Sequence, residues 1–193
     1  AWLKIASDGV ITVAVPQLEM GQGITTLIPQ LVAAELGADW RQIAVEPAPV
    51  SGEYANVPLA AKWAPMWANF PALADDPDGT LATRFAQTER LNITGDGTSL
   101  DAFEEPCRVA AASARAMLAQ AAAARWNVEW EECRASAGFI VYQDRSLSFG
   151  ELAMEAAESA GATTALGRHA KEIYEAFAEQ NGGLDFSGVI KTL

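Results

Sequence analysis

The period of the apolar positions changes twice in the first 36 residues. Ile11, Val13 and Val15 alternate with Thr12 and Ala14, the two-residue period of a strand, and Pro16 ends the run. Beyond Gly23, residues Ile24, Leu27, Ile28, Leu31, Val32 and Leu36 follow the spacing of a helix with one buried stripe. Gly37 stands where a helix-terminating glycine belongs. Pro29 falls early enough to be tolerated near the first turn, or it kinks the helix. The corner between strand and helix is Glu19-Met20-Gly21-Gln22-Gly23. Without Cβ atoms, Gly21 and Gly23 let another molecule approach the backbone. The amides that follow, at a helix N-terminus, make a place for an anionic or oxo group, and Gln22 can both donate and accept. A tight turn with a spare glutamine accounts for such a GxG equally simply.

Residues 2–5 and 10–15 flank Ser7-Asp8-Gly9, a hairpin signal. Residues 43–46 read as a short strand ended by Pro47 and Pro49. The stretch 50–92 holds Trp63, Trp67, Phe70, Pro58, Pro65, Pro71 and Pro77, too long and too aromatic for a plain loop. It is expected to be an ordered excursion with short helical turns, covering a neighbouring surface.

A second glycine stretch, Thr94-Gly95-Asp96-Gly97-Thr98-Ser99, leads into the longest helix. Ser99 or Asp101 is its expected N-cap, Glu104 and Glu105 suit its positive end, and Pro106 sits in its first turns. From 109 to 124 the helix is almost all alanine with Met117 and Leu118, which allows close packing. Thr98 and Ser99 hydroxyls beside free amides repeat the anion-binding logic of the first corner. Residues 133–137 and 139–143 predict a second hairpin, turned at Gly138 or continued at Asp144-Arg145. Ser148 and Glu151 make a capping box that opens a helix to about Ser159. Past Gly161, Ala170, Ile173, Tyr174, Phe177 and Ala178 form the stripe of a tail helix. Asn181-Gly182-Gly183 stops it, and Asp185 caps a last short helix. The fold class expected is α/β (α+β): a small mixed sheet packed by long Ala-rich helices, with a helical C-terminal tail.

At 193 residues and 50% hydrophobic content, the chain can bury a sizeable core in one domain or one and a half. A formal charge of −12 argues against nucleic acid and anionic membrane surfaces, which need cationic side chains. No run of 18 apolar residues predicts a membrane span. Cys107 and Cys133 give neither a disulfide framework nor a metal set, and each reads as a small buried hydrophobe. His169 is the only histidine; no zinc set or Ser-His-Asp arrangement can be built on it. Asp75, Asp76 and Asp78 lack the twelve-residue calcium loop. There is no signal peptide, and a start at Ala1 points to processing or a shortened chain.

Several of these stretches resemble one family. Trp2-Leu3-Lys4-Ile5, Asp8-Gly9, the run from Val15 to Gly23, Leu31-Val32-Ala33-Ala34-Glu35-Leu36 and Glu46-Pro47-Ala48-Pro49 are similar to the start of a molybdenum-hydroxylase large subunit. The type is that of the isoquinoline 1-oxidoreductase beta subunit and aldehyde dehydrogenase, in the xanthine dehydrogenase family. The likeness resumes at Ile93-Thr94-Gly95-Asp96-Gly97-Thr98-Ser99 and runs through Cys107-Arg108 and 114–118 to 147–153, so that about residues 1–158 form a molybdopterin-binding-domain-like segment. The resemblance implies a molybdopterin (molybdenum cofactor) site, with Gly21, Gln22 and Gly23 at the cofactor and Gln22 near the metal or pterin. Gly95, Gly97, Thr98 and Ser99 would hold the pterin or phosphate. It implies hydroxylation of aldehydes or N-heterocycles with water, partners in the remainder of the large subunit and a [2Fe–2S] subunit, and a periplasmic location.

Three departures accompany it. The 50–92 region is short in the family, Asp96 replaces a more usual glycine, and the later glycine-rich motif and the catalytic glutamate in a Gly-Glu-Pro context are missing. The chain alone is therefore expected to be inactive and to bind no cofactor tightly. Residues 159–193 instead resemble the C-terminus of 3-hydroxyisobutyrate dehydrogenase-type β-hydroxyacid dehydrogenases, through Gly167, Ala170, Tyr174, Phe177 and Gly183-Leu184-Asp185-Phe186-Ser187. Those enzymes use NAD, but Gly21-Gln22-Gly23 lacks the third glycine and the acidic partner of a dinucleotide fingerprint. An artificial fusion of two sources, or a non-catalytic α/β module, are the alternative readings.

Overall fold

The computed structural model describes residues 1–69 and 79–159. The chain opens with the predicted hairpin, β1 (Leu3–Ile5) antiparallel to β2 (Ile11–Val15). Its turn is closed by Gly9 N donating to Ala6 O and by Asp8 Oδ1 accepting from Val10 N. Helix α1 (Ile24–Leu36) then carries the chain to β3 (Ile43–Pro47), which lies parallel to β2 with Ile11 opposite Ile43 and Val15 opposite Pro47. β2 is thus the central strand of a mixed three-stranded sheet.

The 50–92 excursion is ordered where described. It contains a single turn at Gly52–Tyr54 and three helices, α2 (Val57–Lys62), α3 (Ala64–Trp67) and α4 (Thr80–Glu89). It carries its own small core of Ala55, Ala60, Ala82 and Ala86. Trp67 and Phe85 stack beside that core, with centroids 4.1 Å apart and planes 6° from parallel. Tyr54 ties the excursion to the sheet: it is buried, meets Trp2 edge-on at 4.8 Å, and donates its hydroxyl to Ala1 O.

Helix α5 (Ser99–Trp126) is the longest element, at 28 residues. It begins ten residues before the alanine run because Phe103, Cys107, Ala111, Ala114 and Leu118 continue one buried stripe at helical spacing. The small Cys107, Ala111 and Ala114 of that stripe let it lie against α1, whose Ile24, Ile28, Val32 and Leu36 complete the core with β2. Burying an Ile or Leu of this kind contributes about 1.5–3 kcal/mol. Arg108 and Arg115 both reach Glu35 across the α1–α5 seam, at 3.7 and 3.2 Å. Pro29 and Pro106 lie inside their helices, so each removes one i→i−4 hydrogen bond.

The N-cap of α5 is Thr98, not Ser99 or Asp101, and it makes no side-chain cap bond. Its hydroxyl is engaged elsewhere, donating to Gly95 O and accepting from Asn56 Nδ2.

Beyond α5 a second sheet forms from β4 (Arg134–Ser136), β5 (Phe139–Tyr142) and β6 (Arg145–Ser148), all antiparallel. Both expected turns are used. Helix α6 (Phe149–Ser159) starts from the predicted capping box: Ser148 N and Oγ both donate to Glu151 Oε2, and Glu151 N donates to Ser148 Oγ. Arg125 and Glu155 pair α5 with α6. The α/β class is therefore the observed one. The tail 160–193 with His169, and residues 70–78 with Asp75, Asp76 and Asp78, lie outside the described residues.

Gly37 joins the two sheets. It ends α1 at φ 77° with its N–H on Ala33 O, and its own carbonyl accepts from Gly138 N. An added Cβ there would lie 2.9 Å from Ala135 Cβ and 3.0 Å from Ala135 O. Gly79 has a similar φ of 67° with nothing within 4 Å. Gly37→Ala is expected to destabilise the fold by about 2 kcal/mol or more and Gly79→Ala by about 1 kcal/mol. Urea unfolding midpoints check this; equal losses would contradict the Gly37–Ala135 contact.

Candidate functional site

The first corner is closed by its own acid. Glu19 Oε1 accepts from Gly21 N and Gly23 N, each at 2.8 Å, while Oε2 accepts from Thr25 N at 3.1 Å and Thr25 Oγ1 at 2.9 Å. A carboxylate thus occupies the α1 N-terminus, where the sequence pattern left room for an external anion. The amides of Gly23 and Thr25, then the Thr25 hydroxyl and Gly21 N, hold the Glu19 carboxyl down to about 2. Gln22 also turns inward: its Oε1 accepts from Met20 N at 2.6 Å and its Nε2 donates to Leu18 O at 2.8 Å. What stays open is the backbone at Gly21, where φ is 98° and an added Cβ would meet nothing within 4 Å.

The second corner lies against the first. Thr94 Oγ1 donates to Leu18 O at 3.3 Å, so Leu18 O accepts from both glycine stretches. One residue away, Ile93 O accepts from Gln17 Nε2 and Asn56 Nδ2, each at 3.0 Å. Asn56 is fully buried; it also donates to Thr98 Oγ1 and caps α2 by accepting from Leu59 N. Asp96 is held aside, its carboxylate accepting from Trp63 Nε1 at 2.7 Å and its carbonyl from Lys62 Nζ at 2.9 Å. Gly95 packs against Leu59 and Trp63 side chains, whereas Gly97, at φ 67°, faces open space. Ser99 is buried, and the amides of Ser99 and Leu100 make no hydrogen bond among the described residues.

The structure therefore links the two glycine stretches through Leu18 O, which Gln22 and Thr94 share, and through Gln17 on Ile93 O, and the two stretches differ in readiness for a ligand. The residues fit a group that lies along the backbone at Gly21 and Gly97 and directs an anionic end to the α5 amides. They do not fit one whose anion takes the α1 amides, which Glu19 fills.

Gln17, the capping role of Glu19 and the clamp at Asn56 were not found from the sequence. Asn56 carried a signal, since Asn-Val-Pro is an N-cap followed by a proline in the first helical turn. Cys107 is no candidate nucleophile, because burial pushes its thiol up to about 12. Among the described residues no cluster of His, Cys, Asp or Glu could hold a metal ion, and no helix is long and apolar enough to cross a membrane.

The Glu19 cap fixes a pH dependence. Its folded pKa lies below the usual carboxylate value of 4.5, so its stabilisation is complete above that value and is lost as pH falls toward about 2. Amide resonances of Gly21, Gly23 and Thr25 are expected to move together over that range. Glu19→Gln is expected to loosen the same amides at neutral pH; an unchanged loop would contradict the cap.

Comparison with known proteins adds one family match and three similar proteins. Residues 1–55 match the family described as molybdopterin cofactor-binding domain. The chain is 30% identical over 153 residues to isoquinoline 1-oxidoreductase subunit beta of Brevundimonas diminuta, covering 78% of this chain and 16% of that protein. It is 30% identical over 88 residues to a membrane-bound aldehyde dehydrogenase [pyrroloquinoline-quinone] of Gluconacetobacter polyoxogenes, 46% of this chain and 11% of that one. A 42-residue stretch, 22% of the chain, is 55% identical to a probable 3-hydroxyisobutyrate dehydrogenase of Mycobacterium bovis, covering 14% of it. The chain thus spans less than a fifth of the length of each of these relatives. The opening 55 residues thus match the molybdopterin cofactor-binding domain, and 153 residues are similar to part of isoquinoline 1-oxidoreductase subunit beta.

Proposed function

We propose that this chain is a piece of a molybdopterin-dependent oxidoreductase that hydroxylates aldehydes or N-heterocycles with water, supplying cofactor contacts without a complete catalytic centre. The observation that carries the reading is the pairing of two glycine-bearing helix starts through the Leu18 carbonyl. When bound, the molybdenum centre supplies oxygen transfer from water and takes up two electrons. The chain's own part is to bind and orient. Gly21 and Gly97 present bare backbone, and the Ser99 and Leu100 amides receive an anionic end. Gly23 and Gln22 shape the first loop, Gln22 reaching a ligand by exchanging one of its two loop hydrogen bonds. Thr98 and Gly95 hold the second corner in register with Asn56. The Trp63 indole N–H holds the Asp96 carboxylate to one side of the second corner.

The length covered in the relatives supports the rest of a large subunit as the partner that completes the site. A separate [2Fe–2S] subunit as electron acceptor and a periplasmic location extend the same reading. A second reading rests on the 42-residue likeness to a hydroxyacid dehydrogenase. A fusion of two sources is the form this second reading takes. Against NAD use by this chain stands the absence of a third glycine after Gly23.

The isolated chain is expected to retain no molybdenum and to show no aldehyde oxidation with a dye acceptor; turnover would refute the incomplete-site reading. Calorimetry with NAD is expected to give no binding heat, and a saturable signal would favour the dehydrogenase reading. Comparison of an intact mass with the encoding gene decides whether both parts belong to one polypeptide.

A further inference from the structure

Two consecutive side chains at the end of α2 meet at the second corner. Trp63 Nε1 donates to the Asp96 carboxylate at 2.7 Å, and Lys62 Nζ donates to Asp96 O at 2.9 Å. Asp96 and the 50–92 excursion, two departures from the family pattern, are therefore in direct contact. The indole N–H occupies the carboxylate, while the ammonium takes the backbone. Lys62 makes no ion pair among the described residues and has two further N–H donors to give.

The ammonium stands at the open backbone. Asp96 O and Gly97 N belong to one peptide unit, which places Lys62 Nζ within about 5 Å of Gly97 N. Asp96 (φ 51°) and Gly97 (φ 67°) form the tip of a turn closed by Thr98 N on Gly95 O at 3.1 Å, so the tip directly precedes α5. A separate observation marks the helix start itself. Ser99 is only 7% exposed, and its hydroxyl has no hydrogen-bond partner among the described residues although it keeps contact with solvent. Covalent geometry holds this hydroxyl within about 4 Å of the residue's own unpaired amide, so a group that reaches one reaches the other. The Ser99 and Leu100 amides, the Ser99 hydroxyl and the Lys62 ammonium are all donors, and a phosphate oxygen is an acceptor that takes lysine as a point charge. Asp101 adds a second acid in the first turn of α5. Without Lys62 the charged side chains of this corner would be acids alone.

We infer that Lys62 is the cation of the anion site at the α5 start, a phosphate-binding residue that the excursion supplies. The inference rests on the reading of the α5 amides as the seat of an anionic end and adds the residue that gives that seat its charge. Asp96 puts a negative charge on the turn, and Lys62 offsets it. In a chain of net charge −12, a local cation decides whether the helix start holds an anion.

Inorganic phosphate titrated into the full 193-residue chain at low ionic strength, with backbone amides followed by NMR, tests the inference. Lys62 is exposed on α2, so its substitution leaves the core intact. Lys62→Gln keeps a donor for Asp96 O but removes the charge, and is expected to weaken phosphate binding at Ser99 and Leu100 by about fivefold or more. Lys62→Arg keeps the charge and is expected to preserve binding. Arg84→Gln removes an exposed charge elsewhere in the excursion and is expected to change nothing. Equal affinity in the Lys62→Gln chain, or an equal loss in the Arg84→Gln chain, would overturn the role of Lys62 while leaving the α5 site. No shift at Ser99 and Leu100 in the unsubstituted chain would overturn both.

Discussion

Two backbone carbonyls hold the functional end of this molecule together. Leu18 O takes hydrogen bonds from Gln22 and Thr94, and Ile93 O takes them from Gln17 and Asn56. Neither carbonyl belongs to a helix or strand ladder, so each would otherwise need water or another partner. By receiving side chains from separate segments they fix the start of α1 beside the start of α5. The hydrophobic core sets the larger frame: β2, α1 and α5 close on Ile28, Val32, Phe103 and Leu118. The core alone does not dictate the loop arrangement at the strand ends. The buried amides of Asn56 and Gln17 do that, and their loss would free the corners while leaving the helices packed.

The two helix starts share a geometry but differ in electrostatics. At α1 the partial positive charge of the amides is met by Glu19 from within the loop. At α5 Asp101 stands in the first turn and Asp96 is held by Trp63, while the Ser99 and Leu100 amides have no hydrogen-bond partner among the described residues. In a chain of net charge −12, an open amide pair offers a local attraction for an anion that the overall field opposes. Glu19 also stiffens the Gly21–Gly23 loop, so the bare backbone at Gly21 is presented in one conformation. A glycine loop without such a brace would lose more entropy on binding.

The fold was largely legible in the sequence, because its elements follow strong local periodicities. The β2 alternation, the α1 stripe ended by Gly37 and the Ser148–Glu151 box each have a local cause that the packing obeys. The α5 cap was misread because Thr98 spends its hydroxyl on Gly95 and Asn56, and a long-range bond is invisible to local pattern. The excursion was legible as ordered over its described residues 50–69 and 79–92, though not in its attachment through Tyr54 and Asn56, whose partners lie 37 to 53 residues away. At the site, the glycines marked both corners, but Glu19 read as part of a motif instead of as the group that fills the first one.

The central claim is that the corners are paired, with the α1 start closed and the α5 start open. Titrating the full chain with inorganic phosphate while following backbone amide resonances tests it most directly. The account predicts shifts at Gly97, Ser99 and Leu100, with Gly21, Gly23 and Thr25 held in place by Glu19. Shifts centred on Gly23 and Thr25, or no response at Ser99 and Leu100, would contradict it.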